Sequence, residues 1–161
     1  MSLYQRTMRS LGRTSAMRWT LSKVLTPLDM ALRNTRFAPS RFGLGAPLCF
    51  LTTSGRHSGK PRTVPLLYVP FDGDAVAVAA TNYGQEDHPG WSYNLESEPR
   101  AQLEIEGVTN MVIARRANEH ECTHVWPRFD AIWPAYETYR NIAARDIKVF
   151  ILEPEFASET P

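Results

Sequence analysis

The residue types best suited to chemistry gather in one stretch, Thr52-Thr53-Ser54-Gly55-Arg56-His57-Ser58-Gly59-Lys60-Pro61-Arg62-Thr63-Val64-Pro65-Leu66. Arg56, Lys60 and Arg62 are permanent cations. Gly55 and Gly59 reach positive φ without steric penalty, so backbone N–H groups and side-chain charge can converge on one ligand. That chemistry selects an anion, a phosphate or a carboxylate. A Walker A loop is excluded by spacing. The glycines stand one residue too close, Pro61 occupies the place of a magnesium-binding hydroxyl, and a strand-like run follows where a helix should. On composition alone the loop also reads as a hairpin turn with solubilising charges.

Two further constellations invite a chemical reading. His120-Glu121-Cys122-Thr123-His124 fits H-E-x-x-H, which on a helix places two imidazoles on one face with a glutamate as potential base. A zincin also needs a third ligand, here a residue such as Glu137 or Glu153, and a cleft between subdomains. Asn118 with Glu121 three residues on is instead a capping-box helix start, which gives Glu121 a structural task, so no metal is expected. Trp126, Phe129, Trp133 and Tyr136 recur at helical spacing with Tyr139 close by. That stripe is either the buried face of a helix or the wall of an acceptor pocket. The hydroxyls of Tyr136 and Tyr139 and the disturbance at Pro134 favour the pocket.

The elements that hold these residues follow from periodicity. Leu48–Leu51 and 63–70 flank the cationic loop as strands, and Pro65 marks an edge or a bulge because proline cannot donate to a ladder. Asp72-Gly73-Asp74 is a hairpin turn into a strand over 75–80. Its alanines either form a surface for a flat ring or fill a tapered barrel interior. Gly90–Leu95 reads as a short helix with Trp91 and Asn94 on one face. Runs 101–106 and 108–115 make a hairpin around Gly107, a helical region from Asn118 to about Arg140 breaks near Pro134, and 147–152 is the last strand. Six strands joined mostly as hairpins, with helices at the front and late in the chain, predict a mainly β fold: a six-stranded antiparallel barrel.

At 161 residues the chain supports one core domain. Its net charge of +1 conceals an asymmetry: through Arg62 there are eleven Lys/Arg against Asp29 alone, a net of +10 that leaves −9 for the remainder. Such a front end seeks an anionic membrane, nucleic acid or cofactor. Residues 3–26 read as a basic amphipathic helix that either packs on the barrel or lies on anionic lipid, and Pro27 opens a second short helix. The expected organisation is 1–26 as this helix, 27–154 as the cofactor-binding barrel and 155–161 as a tail. The apolar stretches are too short for a membrane span or a signal peptide, so a cytoplasmic protein is expected, with peripheral membrane contact through 1–26 as the alternative. Cys49 and Cys122 read as small buried hydrophobes in a reducing compartment.

Several motifs converge on one family. The segment Leu51–Leu66, then Ala80-Thr81-Asn82-x-Gly84, then His88-Pro89-Gly90-Trp91-x-x-Asn94-Leu95, and late Tyr136-x-x-Tyr139 before Arg145-x-Ile147, closely resemble the deazaflavin-dependent nitroreductase family. This is the coenzyme F420 branch of the split-barrel oxidoreductases, related in fold to FMN-binding pyridoxamine-phosphate-oxidase-like proteins. The resemblance covers about Leu25 to Pro154. It implies that Arg56, Ser58, Gly59, Lys60 and Arg62 hold the phosphodiester and oligoglutamate tail of F420. It implies also that Thr63 contacts the cofactor and that the ring lies along Val64, Pro65 and Ala80, Thr81, Asn82, with Pro89, Trp91 and Asn94 closing the site. Hydride would pass from C5 of the reduced ring to a quinone, an activated enone or a nitroaromatic. The resemblance suggests Tyr136, Tyr68 and Thr81 for catalysis and Tyr68, Trp133, Tyr136 and Tyr139 for the acceptor. The family tends to have Gly where Tyr83 stands and a plainer segment at Asn34–Ser40, differences that bear on the acceptor. Competing readings are an FMN-using relative and a non-catalytic carrier of an amphiphile such as heme or lipid. Nucleic-acid binding is not expected, because no base-reading module is present.

Overall fold

The computed structural model describes residues 46–155. The helices expected at 3–26 and from Pro27, the linker at 33–45 and most of the tail lie outside the described residues. The described chain runs β1 (Leu48–Ser54), β2 (Pro61–Pro70), β3 (Val76–Ala79), a 3-10 turn at Asn82–Gly84, and helix α1 (Gly90–Ser97). It continues with β4 (Arg100–Ile105), β5 (Val108–Arg116), α2 (Glu119–Ile132), α3 (Ala135–Ile142) and β6 (Val149–Pro154).

All six predicted strands form, and they close in the order β1-β2-β3-β6-β5-β4 with β4 returning to β1, every pair antiparallel. The hairpin at 72–74 is fastened by Phe71 N–H to Ala75 O (2.8 Å) and Ala75 N–H to Asp72 O (3.1 Å). Pro65 lies where β2 pairs with β1 through Phe50, before its pairing with β3 begins at Tyr68, which is the edge position expected of it.

The two-residue period of the strands divides the apolar side chains between two cores. One fills the barrel: Cys49 and Leu51 from β1, Val76 and Val78 from β3, Leu103, Val112, Phe150 and Leu152 from the remaining strands, and Trp91 and Leu95 of α1 at one end. The second lies outside, where Val69, Ala77, Ala79, Val149 and Ile151 meet Val125, Phe129, Tyr136 and Tyr139 of α2 and α3. Strand β3 is buried on both faces, so its small residues serve packing and not a ring platform. Ala80, 0% exposed, belongs to the barrel interior.

The capping box at α2 is complete: Asn118 Oδ1 accepts from Glu121 N–H (2.9 Å), and Glu121 Oε2 accepts from Asn118 N–H (2.8 Å). Arg115 engages both Glu121 oxygens at 2.8 and 2.9 Å, and this contact chiefly holds the carboxyl below its ordinary range. A glutamate so committed is a poor general base. At the other end of α2, Trp133 is extended (φ −137°, ψ 91°), as a residue before proline prefers, and α3 begins after Pro134. Arg140 closes the angle between the two helices, gripping Asp130 with two bonds (2.9 and 2.7 Å) and lying 4.4 Å over the Trp126 ring.

Cys49 is buried, its thiol pushed up to about 12 by desolvation, whereas Cys122 is only partly buried. Neither is in a disulfide.

Candidate functional site

The turn between β1 and β2 is built tightly. Gly55 N–H donates to Lys60 O (2.9 Å), and Ser58 and Gly59 N–H donate to Gly55 O (3.0 and 2.7 Å). A Cβ on Gly55 would stand 2.8 Å from Ser58 Oγ and 3.2 Å from Lys60 O, so a side chain there would push Ser58 aside and crowd the turn, and Gly59 turns the chain at φ +65°. Two further donors are engaged: Arg56 N–H goes to Asn94 Oδ1 (3.0 Å) and Lys60 N–H to Ser58 Oγ (3.3 Å). The expectation of backbone N–H groups converging on a ligand is therefore corrected. Those of Gly55, Arg56, Ser58, Gly59 and Lys60 all hold the turn itself, and the turn's attraction for an anion resides in its side chains.

Beside this turn lies a groove of about 730 Å³, within the usual range for a small-molecule site. One wall is formed by Gly55–Ser58, Arg62 and Val64; the other by Asn82, Gln85 and His88–Asn94 without Ser92. Arg56 and Arg62 form no ion pair with a carboxylate among the described residues, so their charge is available to a guest. Arg56 is placed by its guanidinium carbon lying 4.5 Å from the centroid of the Tyr93 ring. Lys148 approaches the same ring at 4.8 Å, but its ammonium is paired with Glu96 at 2.6 Å. A second hollow, about 860 Å³, lies beyond the 82–87 turn along Thr138, Asn141 and Ile142. Its charged groups, Glu86 and Asp87, would repel an anion.

Asn94 joins the walls. It is 8% exposed, and its amide accepts from Arg56 N–H and donates to Thr53 Oγ1 (2.9 Å), so it positions the cationic turn. The opposite wall carries consecutive non-glycine residues in the left-handed region, Asn82 (φ 45°) and Tyr83 (φ 56°). Such backbone costs about 1–2 kcal/mol per residue and persists where the surroundings enforce it. Here Asn82 Nδ2 donates to Asp87 O (2.8 Å), Gly84 N–H to Thr81 O (2.9 Å), and the Tyr83 ring meets Tyr139 edge-on at 6.2 Å.

The structure sorts the expected site residues into separate places. Arg56, Ser58, Arg62, Val64, Asn82, Pro89, Trp91 and Asn94 come together around the groove. Gly59 and Lys60 sit on the exposed outside of the turn. Thr63 and Pro65 alternate with the groove-lining Arg62 and Val64, which turns them to the other face of β2, where Thr63 shares a 2.8 Å hydroxyl contact with Thr52. Ala80 is in the barrel core, and Thr81 is buried with its carbonyl engaged. Tyr68 lies six residues beyond Arg62 along β2, about 20 Å at strand rise, half-buried at the far end of the barrel. Trp133, Tyr136 and Tyr139 belong to the outer core. Tyr136 is 6% and Tyr139 1% exposed, with Tyr136 edge-on to Phe129 at 5.4 Å. Burial first, then the neighbouring Tyr139 and Tyr83, pushes the Tyr136 phenol far above its ordinary value. Tyr136 and Tyr139 thus lie on the buried face of the aromatic stripe.

Tyr93, His88 and Gln85 also line the groove, a role that their types and spacing in the sequence do not announce. The alternation of Trp91 and Tyr93, two apart on one helix, was the available signal. Trp91 turns into the barrel against Phe150 at 5.7 Å, which sends Tyr93 the other way.

A six-stranded antiparallel barrel with an arginine-lined groove beside its β1–β2 turn is a split-barrel architecture with a candidate anion site. The comparisons make the class specific: residues 32–154 match the model of the F420H(2)-dependent quinone reductase family, and the chain belongs to that family. It is 32% identical over 118 residues to a Mycobacterium tuberculosis protein, Rv3178, whose name assigns it provisionally to the F420H(2)-dependent quinone reductases. That match covers 71% of this chain and 98% of the relative. The F420H(2)-dependent quinone reductase Rv1261c of the same organism is 28% identical over 114 residues, covering 66% of this chain and 72% of that one. Among solved structures, an F420-H2 dependent reductase, FDR-A, superposes with a TM-score of 0.61 at 32% identity, over 66% of this chain and 94% of its own. A heme binding protein from Mycobacterium smegmatis, 20% identical with a TM-score of 0.55 over 68% of this chain and 47% of that one, shares the fold. The chain is thus a member of an oxidoreductase family whose hydride donor is reduced coenzyme F420.

Proposed function

We propose that the protein reduces a quinone with F420H2 held in the groove between the 55–64 and 82–94 walls. The observation that carries this reading is the pair of arginines, Arg56 and Arg62, facing a groove without carboxylate partners among the described residues. An anionic cofactor tail needs such charge, and guanidinium offers it in a form suited to carboxylate and phosphate oxygens. The reduced deazaflavin supplies two electrons and one hydrogen as hydride, and the quinone takes one further proton to become a hydroquinone. In this chain Arg56 and Arg62 neutralise the tail, Asn94 keeps the cationic turn in place, and Trp91 and Val64 give the groove an apolar floor that sheds water.

For the acceptor side, Tyr68 is proposed as the phenol that meets the substrate, which requires the cofactor to extend from the groove along β2 toward it. Desolvation, with Glu106 next in weight, raises the Tyr68 phenol above its ordinary value, which keeps it protonated and able to donate at neutral pH. Activated enones and nitroaromatics are the alternative acceptors, and the basic segment 1–26 is proposed to bring the enzyme to anionic lipid. Fluorescence titration with F420 and with FMN, followed by F420H2 consumption against quinones, enones and nitro compounds, tests the reading. F420 binding that weakens with salt and turnover fastest with quinones are expected. Tight FMN binding without F420 binding would overturn it, and flotation with anionic vesicles tests the lipid contact.

A further inference from the structure

Arg145, in the segment between α3 and β6, reaches the groove wall from behind. Its Nε donates to Gln85 O (3.1 Å), one terminal nitrogen donates to both Ala80 O (3.2 Å) and Thr81 O (3.1 Å), and the other meets His88 Nδ1 at 2.8 Å. A guanidinium has donors and no acceptor and stays protonated in proteins. The 2.8 Å contact is a hydrogen bond only when His88 Nδ1 offers a lone pair, and the ring proton then resides on Nε2. We infer that Arg145 is a positioning residue that fixes His88 as its neutral Nε2–H tautomer on the groove wall, where that N–H donates to an acceptor group of the bound cofactor.

The surroundings of His88 agree. Burial lowers its affinity for a proton, Arg145, Lys148 and Arg116 lower it further, and Glu96 opposes them. Tyr93 fixes the ring plane by an edge-on contact at 5.8 Å. Arg145 also anchors the carbonyls on either side of the left-handed Asn82–Tyr83 pair, so one side chain holds both the strained wall and the orientation of its histidine.

This inference rests on the F420 reading for the identity of the ligand but not for the tautomer, and the experiment separates the two. Long-range 1H–15N correlation spectra of 15N-histidine-labelled protein without cofactor, recorded at about pH 8 where a histidine is neutral, report the protonated ring nitrogen. The expected result is a single Nε2–H pattern for His88, replaced by a mixture in Arg145→Leu. In fluorescence titrations His88→Leu should raise the F420 Kd on the order of tenfold, the share of one hydrogen bond. His88→Gln, whose amide can donate from near the Nε2 position, should recover most of that loss. An Nδ1–H or mixed pattern in the wild-type spectrum overturns the tautomer assignment, a result available even if Arg145→Leu does not fold. Wild-type F420 affinity in His88→Leu overturns the donor role. Failure of the wild-type protein to bind F420 removes the cofactor reading and leaves the tautomer result to stand by itself.

Discussion

Helices α1 and α3 are each eight residues long, and each carries a pair of aromatic rings and an asparagine. Their surroundings give those side chains opposite work. Helix α1 closes one end of the barrel beside the cationic turn. Trp91 enters the core, Asn94 bonds across to the turn, and Tyr93 remains at the groove under Arg56. Helix α3 packs against the 82–84 turn and α2, and both of its tyrosines join the outer core with Phe129, Val149 and Ile151. A tyrosine becomes a candidate ligand contact or a core residue according to which layer its helix covers, and residue type and spacing within the helix do not distinguish the two.

The largest expected effect is on the α3 side of this contrast. Tyr136→Ala should destabilise the protein by about 3–5 kcal/mol, the range for removing a buried ring. The thermal midpoint would fall on the order of 10 °C. Tyr136→Phe should change stability by under about 1.5 kcal/mol and leave turnover close to wild type. A turnover loss of a hundredfold with unchanged stability would return Tyr136 to the acceptor site. On the α1 side, Arg56→Ala and Arg62→Ala should each weaken F420 binding by about 1.5–3 kcal/mol, as loss of a charge-assisted contact does, in isothermal titration at low salt. Lys60→Ala, outside the groove, should change Kd by at most about threefold. Equal losses for Lys60 and Arg62 would mean the tail follows the outside of the turn.

Asn94→Ala sharpens the comparison more finely, since it takes the partner from the part-buried Arg56 N–H and from the buried Thr53 hydroxyl. The expected cost is about 2 kcal/mol in denaturant-measured stability, together with weaker F420 binding in a variant that keeps every groove cation. The smallest effect concerns pH. His88 has a depressed proton affinity in the folded state, so below about pH 6.5 the unfolded chain binds more protons than the folded one. The neutral histidine's contribution is full above that pH and drains as pH falls toward the depressed folded value. Melting curves between about pH 7 and pH 5 should show this acid slope, and His88→Leu should flatten it.

What the sequence reveals here is what neighbours in the chain decide. The hairpins are closed by turn residues adjacent to their strands, the edge at Pro65 follows from a missing N–H, and the capping box of Asn118 and Glu121 spans three residues. The cations Arg56 and Arg62 are legible for the same reason. The rest depends on partners far along the chain. Asn94 holds the turn from 38 residues away, and Arg145 reaches His88 across 57 residues and Ala80 across 65. Five of the turn's N–H groups, those of Gly55, Arg56, Ser58, Gly59 and Lys60, are taken by Asn94 and by the turn's own carbonyl and hydroxyl oxygens, a competition that loop composition does not display. The aromatic stripe of α2 and α3 is equally ambiguous until the sheet face beneath it is known.

The pairing of β2 has a consequence for the behaviour of the protein at high concentration. Tyr68 N–H donates to Pro47 O (3.2 Å), so even-numbered residues of this strand direct their backbone groups to β1 and odd-numbered ones away from it. Over 61–67, where no strand of the described residues pairs on the far side, the outward donors would belong to positions 61, 63, 65 and 67. Two of these are prolines. A second molecule offering a strand here meets a half-empty row of hydrogen-bond donors, with the charge of Arg62 close by, and cannot extend the sheet. The same prolines make this length of β2, unpaired on its far side among the described residues, a poor seed for chain-to-chain polymerisation.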